Sequence, residues 1–440
     1  MYFLYSVLTA AAMLLLAPYF VVRGMRQGRY LSNLRERLGR LPPAVVARAD
    51  SMNGAIWIHA VSVGEALAAR PLAFELKQRF PDRPLFVTTT TATGQRLARE
   101  RLDFADGIFY FPLDWTGPVR RVFRVIRPAL VVILETEIWP NFLREARRLN
   151  VPVVFVNARI SERSIARFRP LKPLLGGFFA RVLADARAYL AQSQDDAHRL
   201  LEMGAPEELV EVTGNLKYDG EPPTIGEFGE WLTEQSRQQE RWPVMVAGSV
   251  AADEEAAVLA AYDIVQRQWR RALLILAPRK PERFDAAAEI ALEQGWRVVR
   301  RSRLNLAAPL DEEADVLLLD SIGELAGIYA LADAVFIGGS LVPAGGHNIL
   351  EPAWFARPPV FGTSMDNFSE MAGQFLSAGA GIQVSSGERL GKAWVQLIRD
   401  STYRERMGRA ARELVERNRG ATARSLDRIA AILNNNRSPA

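Results

Sequence analysis

The sequence predicts an α/β protein built from two doubly wound, parallel-sheet domains behind an uncharged N-terminal segment. Three observations predict it. Short apolar runs alternate with helically spaced stretches along most of the chain; the alternation breaks once, over the polar residues 221–243; and Met1 to Val22 contains no charged side chain. Repeated strand-then-helix order requires parallel strands covered on both faces. A chain of 440 residues has room for two such domains, and its 49% apolar and 24% charged content excludes a disordered or collagen-like protein.

In the first domain, over 51–220, the strands are expected at Ala55–Val61, Leu85–Thr90, Ala129–Leu134, Val151–Val156 and Ala188–Ala191, and the series weakens after Val210–Thr213. Leu67, Leu72, Leu76 and Phe80 mark the first helix, over Ala66–Phe80. Pro222-Pro223, Gly226 and Gly229 mark the stretch 221–243 as a connection without a strand. The second domain, over 244–440, restarts at Val244–Ala247 and continues through Ala272–Ala277, Val316–Leu319, Ala334–Ile337 and Pro359–Phe361; Trp394–Leu433 reads as closing helices. A ligand is expected in a cleft where strand C-terminal ends of the two halves face each other.

Residues 1–22 reach about 33 Å as a helix, enough for a hydrocarbon core of roughly 30 Å. Arg23, Arg26, Arg29, Arg35, Arg37, Arg40 and Arg48 follow in the segment 23–50, offset only by Glu36 before Asp50. An apolar span with a basic collar is expected to anchor the chain in a membrane with its body on the cytoplasmic side, either as a single pass or lying in the interface. A buried N-terminal helix with an exposed basic flank is the alternative.

The composition excludes several chemistries. With no cysteine there is no disulfide framework, thiolate metal site or cysteine nucleophile, and three histidines (His59, His198, His347) do not suggest a histidine-rich metal centre. No metal and no cofactor is expected. The net charge of +5 is small for this length and gives no reason to expect nucleic acid. The chain has no GxxxxGK[ST] loop, no strand–GxGxxG–helix unit and no GxSxG elbow.

Polar residues instead collect just past the strands. Ser62-Val63-Gly64-Glu65 follows the first, and Glu65 reads equally as a dipole complement at a helix start or as a base at a cleft mouth. Glu135-Thr136-Glu137-Ile138-Trp139-Pro140-Asn141 sets two carboxylates directly after a buried strand, which is costly unless they are paired or face a polar site. Asn157-Ala-Arg159-Ile-Ser161-Glu-Arg163 and Gly214-Asn215-Leu216-Lys217 bring cations to equivalent places, Lys217 being one of only five lysines. In the second half Gly248-Ser249, Pro278-Arg279-Lys280, Ser321-Ile322-Gly323-Glu324-Leu325, Gly338-Gly339-Ser340 and Gly345-Gly346-His347-Asn348 lie at expected helix starts. Together these glycines, cations and helix N-termini suggest a phosphate site, with Glu351 placed for a ribose diol. Glycines and caps of any α/β fold are the plainer account.

These motifs, from SVGE65 and ETEIWPN141 to GNLK217 and GGHNILE351, resemble the 3-deoxy-D-manno-octulosonic acid (Kdo) transferase family in order and spacing over nearly the whole chain. The resemblance implies a two-domain GT-B glycosyltransferase that is inverting and moves Kdo from CMP-Kdo to a lipid A precursor of the lipid IVA type, beside inner-membrane lipids. It implies Glu65 as general base, Glu135 and Lys217 as stabilisers of the transition state, and Pro278, Arg279, Gly323, Glu324, Leu325, Asn348, Ile349, Leu350 and Glu351 as the CMP site. The chain departs from the family pattern after Ser249, where Val250-Ala251-Ala252 replaces a motif with histidine, and at Lys280, often histidine in relatives. Another GT-B enzyme acting on a UDP-sugar, or a non-catalytic lipid-binding protein, are the competing readings.

Overall fold

The structure, a computed structural model, describes residues 1–27, 33–52 and 54–435, with the backbone alone for residues 14, 16–27 and 63. It divides into two compact units, one made of Met1–Gly220 with Asn418–Ala440 and the other of Glu221–Arg417.

The first unit holds strands β1 (Ala55–His59), β2 (Leu85–Thr89), β3 (Gly107–Tyr110), β4 (Pro128–Leu134), β5 (Val153–Ala158), β6 (Ala188–Ala191) and β7 (Val210–Val212). They form one parallel sheet in the order β3-β2-β1-β4-β5-β6-β7. One sheet face packs Trp57, Phe109, Phe142 and Phe155, the other Ile58, Leu72, Val132 and Leu190, so the central strands are apolar on both sides.

In the second unit, β8 (Val244–Val250), β9 (Leu273–Pro278), β10 (Val298–Arg300), β11 (Val316–Leu318), β12 (Ala334–Ile337), β13 (Pro359–Phe361) and β14 (Ile382–Gln383) pair in the order β10-β11-β9-β8-β12-β13-β14. These pairings are also parallel. In each sheet the chain winds one way from a central strand and then the other, so the order reverses between β1 and β4 and between β8 and β12. Loops leaving the carboxyl ends of those four strands are where an open α/β sheet binds ligands.

Two helices differ from the sequence reading. The stretch 221–243 carries the helix Gly226–Gln238, which buries Phe228 and Leu232 within the second unit rather than serving as a bare connection. The last closing helix, Ala421–Asn435, belongs to the first unit: Leu426, Ile429, Ile432 and Leu433 complete the core around Leu72 and Leu216. Asp219 receives the Gly420 N–H at 2.6 Å and also that of Thr422, which fixes the start of this helix.

Residues Tyr2–Gln27 form one helix. Among the described residues no helix is long and apolar enough to cross a membrane, so the crossing expected for 1–22 is not supported. Its first turns rest on the first unit, where Tyr2 Oη donates to Asp185 at 2.6 Å and Asn141 Nδ2 donates to Ser6 Oγ at 3.0 Å. Of the arginine collar, Arg23, Arg26 and Arg29 lie outside the described side chains. Arg37 turns inward to the Thr90 carbonyl, and Arg48 lies 2.6 Å from Asp106.

Candidate active site

The reversal between β1 and β4 brings Glu65 and Glu135 together. Ser62 caps the helix Val63–Arg79 by accepting the Glu65 N–H at 3.3 Å, so this helix starts three residues earlier than apolar spacing suggests. The Glu65 carboxylate in turn accepts from Val61 N–H and Ser62 Oγ, both at 2.8 Å. It therefore closes the helix start, as the plainer reading of this residue expects, with the Glu135 charge close by. Burial and the nearby Glu135 push its pKa up to about 7, against these two hydrogen bonds.

Glu135 adopts φ 54°, a left-handed conformation uncommon for a side chain of this size, at the first position after β4. Lys217 Nζ lies 3.7 Å from Glu135 Oε1. Two asparagines deliver that lysine: Asn157, also left-handed at φ 57°, accepts the Leu216 N–H at 2.9 Å, and Asn215 accepts the Lys217 N–H at 3.0 Å. Burial lowers the Lys217 pKa while Glu135 raises it. Glu137 is raised by burial and by Glu135, which makes this a compact group of acids around one lysine. Such a group can accept a proton at Glu65 and hold a cation nearby as charge develops.

At the second reversal the loops after β8 and β12 are joined by a residue that the motif reading passed over. Glu254 is fully buried and accepts four backbone N–H groups: Ala251 at 2.8 Å, Gly339 at 2.6 Å, Ser340 at 2.8 Å and Leu341 at 2.7 Å. This corrects the expectation for Gly338-Gly339-Ser340. The amides of Gly339 and Ser340 already hold an anion, so they are not donors to a ligand phosphate. The signal for Glu254 was present in the acids Asp253-Glu254-Glu255, but nothing in their spacing distinguishes an exposed run from a buried clamp.

Other predicted residues fall into place around Arg279, which follows β9. Arg279 holds its N–H to Val250 O at 2.9 Å; burial raises the pKa of Glu351, with Asn348 and the Arg279 guanidinium opposing that rise. His347 falls to about 4, chiefly through burial, and is neutral at pH 7. A Cβ on Gly339 would lie 2.8 Å from His347 Nε2, and Gly339 sits at φ +68°, so only glycine fits there. Asn348 caps the next turn by accepting Leu350 N–H and donates to Glu351 Oε1, both at 3.1 Å. Ile349 and Leu350 are buried beneath it, and Pro278 closes β9. Gly323-Glu324-Leu325 stands beyond β11 at the start of a short helix, but the Glu324 carboxylate is held by Arg301 through Nη2 at 2.8 Å and by Ser321. Any ligand contact from Glu324 must therefore come from its backbone or displace Arg301. Among the described residues no group of three potential metal ligands occurs.

A family model described as 3-Deoxy-D-manno-octulosonic-acid transferase (kdotransferase) matches residues 32–220. The 3-deoxy-D-manno-octulosonic acid transferase of Haemophilus influenzae is 33% identical over 99% of both chains. This chain belongs to the Kdo transferase family. The Bordetella pertussis 3-deoxy-D-manno-octulosonic acid transferase is 34% identical over 89% of each chain. The UDP-GlcNAc 2-epimerase of Neisseria meningitidis shares the fold with a TM-score of 0.51 at 15% identity, covering 82% of this chain and 98% of its own. As a Kdo transferase the chain has two parallel-sheet α/β units of the GT-B kind. The structure brings Glu65, Glu135 and Lys217 together in the first unit and Pro278, Arg279, Asn348 and Glu351 in the second.

Proposed function

We propose that this Kdo transferase moves Kdo from CMP-Kdo to a primary hydroxyl of a phosphorylated, acylated lipid A precursor, at the cytoplasmic face of the inner membrane. The observation that carries the chemistry is Glu65: a buried carboxylate with pKa near 7, at a topological switch point, beside an acid–lysine pair. Its unprotonated form takes the proton of the acceptor hydroxyl. The hydroxyl oxygen then bonds to the anomeric carbon, the bond from that carbon to the CMP phosphate oxygen breaks, and the electron pair leaves with CMP. No covalent enzyme intermediate is needed for inversion. Lys217, held against Glu135, supplies positive charge as the bond to the departing phosphate breaks.

In the second unit, Arg279 with the backbone of Gly323–Leu325 and Asn348–Leu350 is assigned to CMP, and Glu351 to the ribose hydroxyls. Neutral His347 supports the Gly339 turn rather than contributing charge. Family membership over the whole chain supports Kdo as the transferred sugar. The test is mass analysis of products from purified protein, CMP-Kdo and a tetra-acylated lipid A precursor, with CMP and UDP compared by calorimetry. Addition of Kdo and preference for CMP are expected; preference for UDP would overturn the donor assignment.

A further inference from the structure

The docked end of the N-terminal helix carries more than an anchor would need. Tyr2 is buried, donates to Asp185 and meets the Phe178 ring edge-on with centroids 5.4 Å apart. Four residues on, Ser6 meets Asn141 in the first turn of the helix Pro140–Arg148. Yet Phe3 is 81% exposed, and Leu4, Val7 and Leu8 are exposed beside it. This is a helix fixed by one face and apolar on the other.

Both ends of this helix return to the same body. The chain re-enters the described structure at Asn33, and by Glu36 and Arg37 it is bonded to Tyr110 and Leu113 of the first unit. From Gln27 to Asn33 the chain reaches at most about 22 Å even when fully extended. That is less than the roughly 30 Å of a hydrocarbon core. A helix held at Tyr2 and Ser6 therefore cannot cross a bilayer and come back in the residues available.

Beside Tyr2 is an open cavity of about 570 Å³ lined by Tyr2, Arg144, Arg147, Arg148, Arg181 and Asp185. Four guanidinium groups face one carboxylate. Arg147 is paired with Asp185 at 2.8 Å and Arg148 with Glu145 at 3.1 Å. Arg144 lies over the Tyr2 ring, 4.6 Å from its centroid, and neither it nor Arg181 has a carboxylate within ion-pair distance among the described residues. Asp185 precedes β6, so this cavity sits at the edge of the sheet opposite Glu65, Glu135 and Lys217, which follow strand ends. It is not part of the reaction site.

Resting on the membrane-bound reading above, we propose that Tyr2, Arg144, Arg147, Arg148 and Arg181 form a site for the phosphate of an anionic phospholipid headgroup, at the docked end of a helix that lies along the bilayer surface. Arginine forks suit phosphate, and the exposed apolar side chains next to them suit the acyl region that a free anion lacks. From Tyr2 at Asp185 to Ser6 at Asn141, the helix runs toward the strand ends that carry Glu135, so a surface along it leads to the catalytic edge.

The full-length protein is floated with phosphatidylcholine vesicles containing phosphatidylglycerol and with phosphatidylcholine alone. Each basic group near an anionic surface contributes about fivefold to partitioning, so R144A/R181A is expected to lose roughly thirtyfold on the anionic vesicles only. R144K/R181K should recover much of it, and unchanged calorimetric melting of the first unit would show an intact fold. Equal partitioning of R144A/R181A and the parent would overturn the site. A parent that floats with neither vesicle would overturn the membrane reading instead, whatever the result for Kdo transfer. Because the chain has no cysteine, F3C offers a unique label. It should be protected from an impermeant maleimide in intact spheroplasts and react after lysis; reaction in intact spheroplasts would refute the surface-lying helix.

Discussion

Replacing Glu135 by glutamine tests the electrostatics of the proposed site from both directions. Burial is the larger reason that Glu65 rises to about 7, and the Glu135 charge is the second. The full shift from the ordinary carboxylate value amounts to about 3 kcal/mol, of which the neighbour supplies the smaller share. Without that charge the ionised form of Glu65 becomes easier, so its pKa falls, by up to about one unit. For Lys217 the same charge stabilises the cation, so its already lowered pKa falls further. A base must be unprotonated and an electrostatic lysine protonated, so kcat/KM should rise with pH through about 7 and fall again as Lys217 loses its proton. In Glu135→Gln both limbs are expected to move toward lower pH together. The assay is initial-rate Kdo transfer from CMP-Kdo across about pH 5–9, read by limb position because the plateau will also drop. An unmoved acid limb, or limbs that shift in opposite directions, would refute the arrangement of charges described.

Glu65→Ala should lower kcat by about 10²–10⁴-fold while leaving CMP affinity unchanged by calorimetry; near-normal turnover removes Glu65 as base. Glu254→Ala leaves four buried N–H groups without their acceptor, and a loss above about 4 kcal/mol is expected. Calorimetric melting should show the second unit falling by roughly 10 °C, with Glu254→Gln milder. Gly339→Ala combines an unfavourable φ with the approach of His347 and should weaken CMP binding more than it weakens melting of the first unit. Asp219→Ala should free the start of the helix Ala421–Asn435, costing about 1–2 kcal/mol and speeding proteolysis near Gly420.

Much of the fold was legible because central strands are apolar on both faces. Runs such as Val131–Leu134 and Leu273–Leu276 cannot be exposed, and each was found. β3, β10 and β14, which the sequence reading missed, are all sheet edges: Gly107, Ile108, Val298–Arg300 and Ile382 are only half-buried, so no continuous apolar run marks them. The helix Gly226–Gln238 was hidden for a related reason, since two large residues, Phe228 and Leu232, carry most of its buried face. At the site, Glu65 and Glu135 were visible as acids directly after strands. Their meeting with Lys217 depends on strand order, which is not local information. Glu254 and Arg301 escaped notice because their roles are set by loops far away in sequence, at Gly339–Leu341 and Glu324.

The placement of Ala421–Asn435 with the first unit has a practical corollary. Topologically the second unit is an insert, entered after Gly220 and left before Asn418. Expressing residues 1–220 by themselves would strip Leu426, Ile429, Ile432 and Leu433 from the surface around Leu72 and Leu216, leaving an aggregation-prone apolar scar. A workable excision would remove Glu221–Arg417 and splice the flanking ends, and shortening the carboxyl terminus would injure the half that holds Glu65 rather than the half that precedes it in sequence.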